Sequence, residues 1–357
     1  MTAERGTAGE TAEVAAAAAQ ISLVGRLRQP RTIISILVPL VVIVAFVWLN
    51  HRELASVPSL ILQANPLLVL AALVVYYLGF PLRGFRWARL LRGTGIQIRT
   101  RDATEIIFLS WLVNCVVPAK LGDVYRAYLL KINSTASLSR TFGTVFIERF
   151  LDLFAIAILG LAAGFWSFRT GLPPTIRIVG LLGVAIIALL AVLLFTMRNF
   201  GRPILERLPL PVRFLELYDR FEQGVFGAIG LRNLPVLGVV TVAIWATESL
   251  RLYLVVRALD FPGVDLGLSG SVFVALIGSL LTAVPLSPAG LGIVEAGILG
   301  VLTAAYGVPV AQATAITLLD RAISVFSVII FGGIAYALSA KPRGEGRIAS
   351  GREPEPV

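Results

Sequence analysis

The sequence is poor in the residues from which soluble enzymes are made. Only 15% of its 357 residues are charged, 31 of them basic and 21 acidic. A soluble chain of this length carries about 25% charge and divides into two or three domains. Charge this sparse cannot solvate a globular surface of that size, so a water-soluble enzyme is excluded. One cysteine (Cys115) and one histidine (His51) leave no disulfide framework and no ligand set for zinc or haem. No phosphate loop, G-x-S-x-G elbow or histidine-based acid–base cluster is written in the chain. No cofactor or metal is therefore expected. What is abundant is apolar: 57% of the residues are hydrophobic, in runs long enough to cross a bilayer. In that setting a net charge of +10 marks cytoplasmic loops and not nucleic-acid binding.

Residues 1–30 read as a disordered cytoplasmic tail and residues 341–357 as a second one, flanking a single membrane domain over 31–340. The first apolar run, 32–49, is too long and too far from the terminus for a signal peptide, so a retained span is expected. Further full spans are expected at about 66–82, 139–168, 175–197, 235–258 and 310–338. Between them lie two pairs of shorter apolar arms, 103–117 with 124–132 and 268–284 with 291–306. A spanning helix needs about 20 residues, and the arms of the first pair are shorter. The proline and glycine joining each pair leave backbone groups that lipid cannot satisfy. Both pairs therefore read as re-entrant hairpins, with a tilted pair of full spans as the alternative for the longer second pair. Arginine and lysine cluster on one side, from Arg83 to Arg101 and through a basic amphipathic linker over 198–234. Both termini are then cytoplasmic, in a multi-pass protein of the cell membrane. The arginines from Arg83 to Arg101 read as a snorkelling cytoplasmic face, and Tyr76, Tyr77, Trp87, Trp48 and Trp166 as interfacial anchors.

The two halves share a written signature. Pro118-Ala119-Lys120-Leu121-Gly122 returns 170 residues later as Pro288-Ala289-Gly290-Leu291-Gly292. Glu148-Arg149 returns as Asp320-Arg321, and Leu82-Arg83 with Arg89 returns as Leu250-Arg251 with Arg257. Each unit, about 66–170 and 235–338, is span, hairpin, span, and the two start on opposite sides. The expected fold is thus all-α: six spans and two re-entrant hairpins in an inverted-topology repeat, the layout of transporters that alternate access around a midplane site.

Charges also stand where they are expensive. Glu148, Arg149 and Asp152 interrupt one apolar span and Asp320 and Arg321 another, and each costs about 2.5–3.5 kcal/mol near the bilayer centre unless compensated. Glu148 and Asp152, four apart, share a helix face that would point at the hairpin bearing Asp123 and Arg126. Glu295 follows Gly292 on the second hairpin, and Glu248 and Arg251 share a face of the span before it. One reading is a polar cavity. Its arginines would hold a phosphate, aided by half-helix N-termini after Gly122 and Gly292, while the carboxylates orient them or carry protons. The other is a self-neutralising network that only fixes helix register.

Pro118-x3-Gly122-Asp123-x2-Arg126, Glu148-Arg149-x2-Asp152 and Ser287-Pro288-Ala289-Gly290-Leu291-Gly292-x2-Glu295 together resemble the motif series of the lysylphosphatidylglycerol synthase transmembrane-region (flippase-like) family. The resemblance covers about 31–338. Asp123 stands where that family more often has glutamate, and Ala289 interrupts its usual Gly-Gly. The resemblance implies lipid translocation. Its carried-over site is Asp123, Arg126, Glu148, Arg149, Asp152, Pro288, Gly290, Gly292, Glu295, Asp320 and Arg321, with Arg126, Arg149 and Arg321 on the head-group phosphate. In bifunctional relatives a synthase domain follows the membrane domain. Nothing resembling it follows Lys341, so lysyl transfer is not expected. The expected partners are anionic membrane lipids, a phospholipid or a polyprenyl-phosphate-linked sugar, and a lipid-synthesising enzyme. Two other classes stay open: a membrane enzyme of lipid-linked glycan or envelope biosynthesis, and a non-transporting anchor for a partner protein.

Overall fold

In the computed structural model the described residues are 48, 51–117, 120–134, 136–168, 174–207, 211–230, 232–282 and 287–339. The expected first span and both tails lie outside them, as do residues 118–119 and 283–286 of the hairpin links. All regular structure among the described residues is helical. Two short turns, His51–Leu54 and Val57–Leu62, lead into α1 (Pro66–Gly93). The first pair of arms follows as α2 (Thr100–Val116) and α3 (Leu121–Asn133), then α4 (Leu138–Ser167) and α5 (Pro174–Glu206). A helix across the basic linker, α6 (Val212–Ala228), leads to α7 (Leu234–Leu259), the second pair of arms α8 (Gly267–Leu281) and α9 (Ile293–Tyr306), and α10 (Val310–Leu338).

Five of these helical segments are long and apolar enough to cross a membrane: Pro66–Gly93, Gly183–Glu206, Leu234–Leu259, Pro288–Tyr306 and Val310–Leu338. The chain is a multi-pass membrane protein. The first pair of arms is short as expected, 17 and 13 residues. The second pair is uneven. Its incoming arm α8 has 15 residues, but counted from Pro288 its outgoing arm reaches 19, enough to cross.

Local chemistry explains the element starts. Asn65 caps α1, its side chain accepting from the amides of Leu67 and Leu68, and Pro66 opens the helix where no amide hydrogen is needed. Along α1 the outward residues Leu67, Leu70, Val74 and Leu78 are exposed, while Ala72, Tyr76, Phe80, Arg83, Arg86, Trp87 and Leu90 are buried. That 3.6-residue stripe continues without a break from apolar residues into arginines. It lies against α7, whose own stripe is Leu237, Thr241, Ile244, Glu248, Arg251 and Val255. The crossing of α1 and α7 forms the centre of the molecule. α2 packs beside α1, α3 packs on α2 and α4, α8 packs on α7 and α4, and the last turns of α10 close over α2. α5 is different in kind: Leu181, Leu189, Val192, Leu193 and Phe195 are all exposed, as on a helix that faces lipid.

Candidate functional site

Six arginines and six carboxylates meet in the interior, and they form two linked groups. In the first, Arg86 on α1 grips Asp152 on α4 with two parallel hydrogen bonds of 2.7 and 3.1 Å. Arg86 Nη1 also donates to Thr241 Oγ1 on α7 at 3.0 Å, and Trp245 Nε1 donates to the same Asp152 at 3.2 Å. One turn away, Arg126 Nη1 donates to both oxygens of Glu148 at 3.0 and 3.1 Å while its guanidinium lies over the Trp87 ring. Arg149 then clasps Asp123 on α3 through Nε and Nη2, at 3.0 and 2.7 Å. In the second group, Arg251 binds Asp320 through Nε and Nη2 at 2.8 and 3.1 Å and also contacts Glu248. Arg83 reaches from α1 to Glu248 at 2.8 Å. Arg321 donates to Glu295 Oε1 at 2.6 Å and to the carbonyl oxygen of Ala289 at 2.7 Å.

Side-chain choice follows from burial. Arg86 and Arg126 are 1% exposed, and an ion this deep is tolerated only when paired with opposite charge, as Asp152 and Glu148 pair these two. The planar guanidinium fork supplies matched pairs that a lysine could not. The two groups also correspond: Arg149 reaches back 26 residues to Asp123, and Arg321 reaches back 26 residues to Glu295.

The hairpin tips correspond as well. Lys120, just before α3, has φ +51, and Gly290, its counterpart 170 residues on, has φ +70. Glycine is at ease there, whereas a lysine in this left-handed region costs about 1 kcal/mol. After each tip the arms close tightly. A Cβ on Gly122 would stand 2.0 Å from the Ser110 carbonyl oxygen, so only glycine lets α3 meet α2. The first amides are already used: Gly122 N–H donates to Asn114 Oδ1 at 2.8 Å, and Gly292 N–H to Glu295 Oε2 at 2.6 Å.

Between the tips lies a cleft of about 1100 Å³, the part open to solvent included. Lys120, Arg149, Asp152, Gly290, Asp320 and Arg321 line it, with Arg83, Glu248 and Arg251 at its back and Cys115 on its wall. Directly after Arg321, α10 widens into a π turn over Ala322–Phe326. Such turns are frequent at functional sites. The Ser324 carbonyl there accepts from the Tyr76 hydroxyl at 3.0 Å, and the guanidinium of Arg251 lies over the Tyr76 ring.

Of the eleven site residues expected from sequence, Arg149, Asp152, Gly290, Asp320 and Arg321 face the cleft. Asp123, Glu148, Gly292 and Glu295 stand behind them as partners or supports. Arg126 does not reach the cleft, because Glu148 and Trp87 hold its head in the interior. Pro288 is buried in the tip and does not line the cleft. Nor are the half-helix N-termini free for an anion, since Asn114 and Glu295 occupy the amides of Gly122 and Gly292. Asp152 turns to α1 and α7 instead of the first hairpin. Two further expectations are corrected. Arg83 and Arg86 are buried ion-pair members, not a snorkelling face, and Tyr76 and Trp87 are core residues, not interfacial anchors. Trp48 and Trp166 are exposed, consistent with anchoring. Sequence reasoning thus missed Arg83, Arg86 and Lys120 as site residues. The first two could have been found, since they continue the buried phase of Ala72, Tyr76 and Phe80.

Comparison with known proteins fits this architecture. Residues 33–332 match the family described as the lysylphosphatidylglycerol synthase TM region. A UPF0104 membrane protein of Methanocaldococcus jannaschii is 37% identical over 225 residues, which is 63% of this chain and 92% of that protein. A UPF0104 membrane protein of Methanothermobacter thermautotrophicus is 27% identical over 313 residues, 83% of this chain and 89% of that one. Glycosyltransferase AglD of Haloferax volcanii is 30% identical over 363 residues. The match takes in 90% of this chain but only 56% of that protein. With a match across nearly all of its membrane core, the chain belongs to the lysylphosphatidylglycerol synthase TM region family.

Proposed function

We propose that the protein is a membrane lipid translocase that moves an anionic lipid, a phospholipid or a polyprenyl-phosphate-linked sugar, between leaflets, and that it is not itself an enzyme. The observation that carries this reading is the cleft between two hairpin tips, lined by Lys120, Arg149 and Arg321 inside an apolar helical frame. A lipid head group needs such a polar path because bare charge is not tolerated in hydrocarbon. In this reading the halves 66–168 and 234–338 form an inverted-topology repeat, the hairpins are re-entrant, both termini are cytoplasmic, and six spans carry the domain. The paired offsets of Arg149–Asp123 and Arg321–Glu295 support the repeat. Arg149 and Arg321 engage the phosphate, and Asp123 and Glu295 hold those arginines in place between translocation events. A lipid-synthesising enzyme then works beside it as a partner.

The test is reconstitution in liposomes with fluorescent lipids and a membrane-impermeant quencher. Arg149→Ala and Glu148→Ala are expected to lose most of the flipping rate. Flipping equal to the parent in both variants would remove the site assignment. The similarity to a protein named as a glycosyltransferase favours one second reading, a membrane subunit of glycan assembly. Product formed from a lipid-linked sugar donor by the purified chain would establish that reading over translocation.

A further inference from the structure

The charge count of the cleft and the network behind it is uneven by one. Arg83, Arg86, Arg126, Arg149, Arg251 and Arg321 are matched by Asp123, Glu148, Asp152, Glu248, Glu295 and Asp320, each in at least one ion pair with the other set. Lys120 is a seventh cation, and among the described residues no carboxylate lies within ion-pair distance of it. The adjoining stretches outside the described residues, 118–119 and 283–286, are Pro-Ala and Ala-Val-Pro-Leu and bring no charge. Two further groups on the cleft wall have spare capacity. Arg83, 5% exposed, has no hydrogen-bond partner on Nη1, and Ser324 has none on Oγ. The lysine also sits in a left-handed backbone position where its counterpart is Gly290. The fold alone would be served better by glycine there.

We propose that Lys120, beside the Arg149 and Arg321 that engage the phosphate, is the unmatched cation that selects the ligand of the cleft, and that the cleft is charge-matched to a phosphodiester head group of net charge −1 whose remainder is neutral and polar. This rests on the translocase reading for the identity of the ligand as a lipid and names its class. A phosphodiester brings one negative charge to one unmatched positive charge and leaves the site neutral. A zwitterionic head group would bring a second cation against Arg149 and Arg321. A diphosphate would leave a negative charge over in a medium that screens it weakly. Arg83 Nη1 and Ser324 Oγ offer hydrogen bonds for the neutral part of the head group. Phosphatidylglycerol and a polyprenyl phosphoglucose share this chemistry.

Equilibrium binding by native mass spectrometry of the detergent-solubilised full chain tests it. The probes are dioleoylphosphatidylglycerol, a polyprenyl phosphoglucose, dioleoylphosphatidylethanolamine and a polyprenyl diphosphate. The wild type is expected to bind at least one of the two phosphodiester monoanions about tenfold more tightly than the zwitterion and the diphosphate. Binding of both means the phosphodiester is what is recognised, and binding of one assigns the source. Lys120→Gln should erase the preference and Lys120→Arg should keep it. Lys120→Gly, which suits the backbone, should erase the preference while the thermal unfolding temperature holds or rises. Equal binding of all four probes by the wild type, or a preference that survives in both the Gln and Gly variants, overturns the proposal. The outcome is separable from transport: a wild type that shows the preference but moves no lipid in liposomes refutes the translocase reading only.

Discussion

Residues 66–168 and 234–338 bring the same parts to the cleft: a long helix, two hairpin arms, and a helix bearing an acidic–arginine pair. They distribute their charge differently. The first half places Arg83, Arg86, Lys120, Arg126 and Arg149 against Asp123, Glu148 and Asp152, an excess of two positive charges. The second places Arg251 and Arg321 against Glu248, Glu295 and Asp320, an excess of one negative charge. Where the first half has Lys120 and Arg126, the positions 170 residues on in the second are Gly290 and Ala296. The second hairpin is built for shape, with Gly290 and Gly292 at φ +70 and +85 and a capped helix start. The first holds chemistry at the same backbone positions. Neither half is neutral alone, and the Arg83–Glu248 bridge ties one to the other. Electrostatics therefore favours the two halves packed together over either alone.

The largest expected effect comes from cutting that tie. Arg83→Leu leaves buried Glu248 without its partner from the other half and should cost about 3–5 kcal/mol, read as a fall in the unfolding midpoint in detergent. A loss far below that would mean the halves are held by packing and not by charge. Next comes the hairpin contrast. Gly122→Ala drives a methyl into the Ser110 carbonyl oxygen and should cost about 1–3 kcal/mol. Gly292→Ala puts a side chain on a φ +85 backbone and should cost about 1 kcal/mol from that strain. Thermal unfolding of the two variants side by side checks the order. The paired arginines, of comparable size, come next. Arg321→Lys loses the fork that spans Glu295 and the Ala289 carbonyl and should cost about 2 kcal/mol. Arg149→Lys, whose parent side chain is 34% exposed against 8% for Arg321, should cost less than about 1 kcal/mol yet reduce flipping more. Arg202→Ala, in an exposed pair with Glu206, is expected to leave both the unfolding midpoint and flipping unchanged.

Much of this comparison is written in the chain. The Pro-x3-Gly signatures locate both hairpins, and the Glu148-Arg149 and Asp320-Arg321 doublets locate the helices that face them, because proline, glycine and charge are conspicuous in apolar runs. The role of Arg83 and Arg86 is harder to read. They follow a hydrophobic stretch and precede Arg89 and Arg92, so by composition they look like the edge of a cytoplasmic loop. Only their helical phase, shared with Tyr76, separates them from exposed Arg92. Partner choice is harder again. Glu148 and Asp152 lie on one face of α4, yet one turns to Arg126 on α3 and the other to Arg86 on α1. That division depends on where α1 crosses α7, a long-range fact that no local pattern encodes.

The π turn at Ala322–Phe326 gives α10 the character of a vernier. Ahead of it the helix must aim Asp320 at α7 and Arg321 at the second hairpin. Behind it, the same helix must set Ser327 against the Tyr77 hydroxyl at 2.9 Å and Gly332 against Leu112 of α2. An unbroken α-helix advances about 100° per residue, so one rotation would have to serve both ends. The wider turn shifts the angular phase between them, letting the charged end be tuned to the cleft while the apolar end stays in register with α2. Removing a single residue from the turn would swing one set of contacts out of alignment, whichever set the remainder of the helix retained.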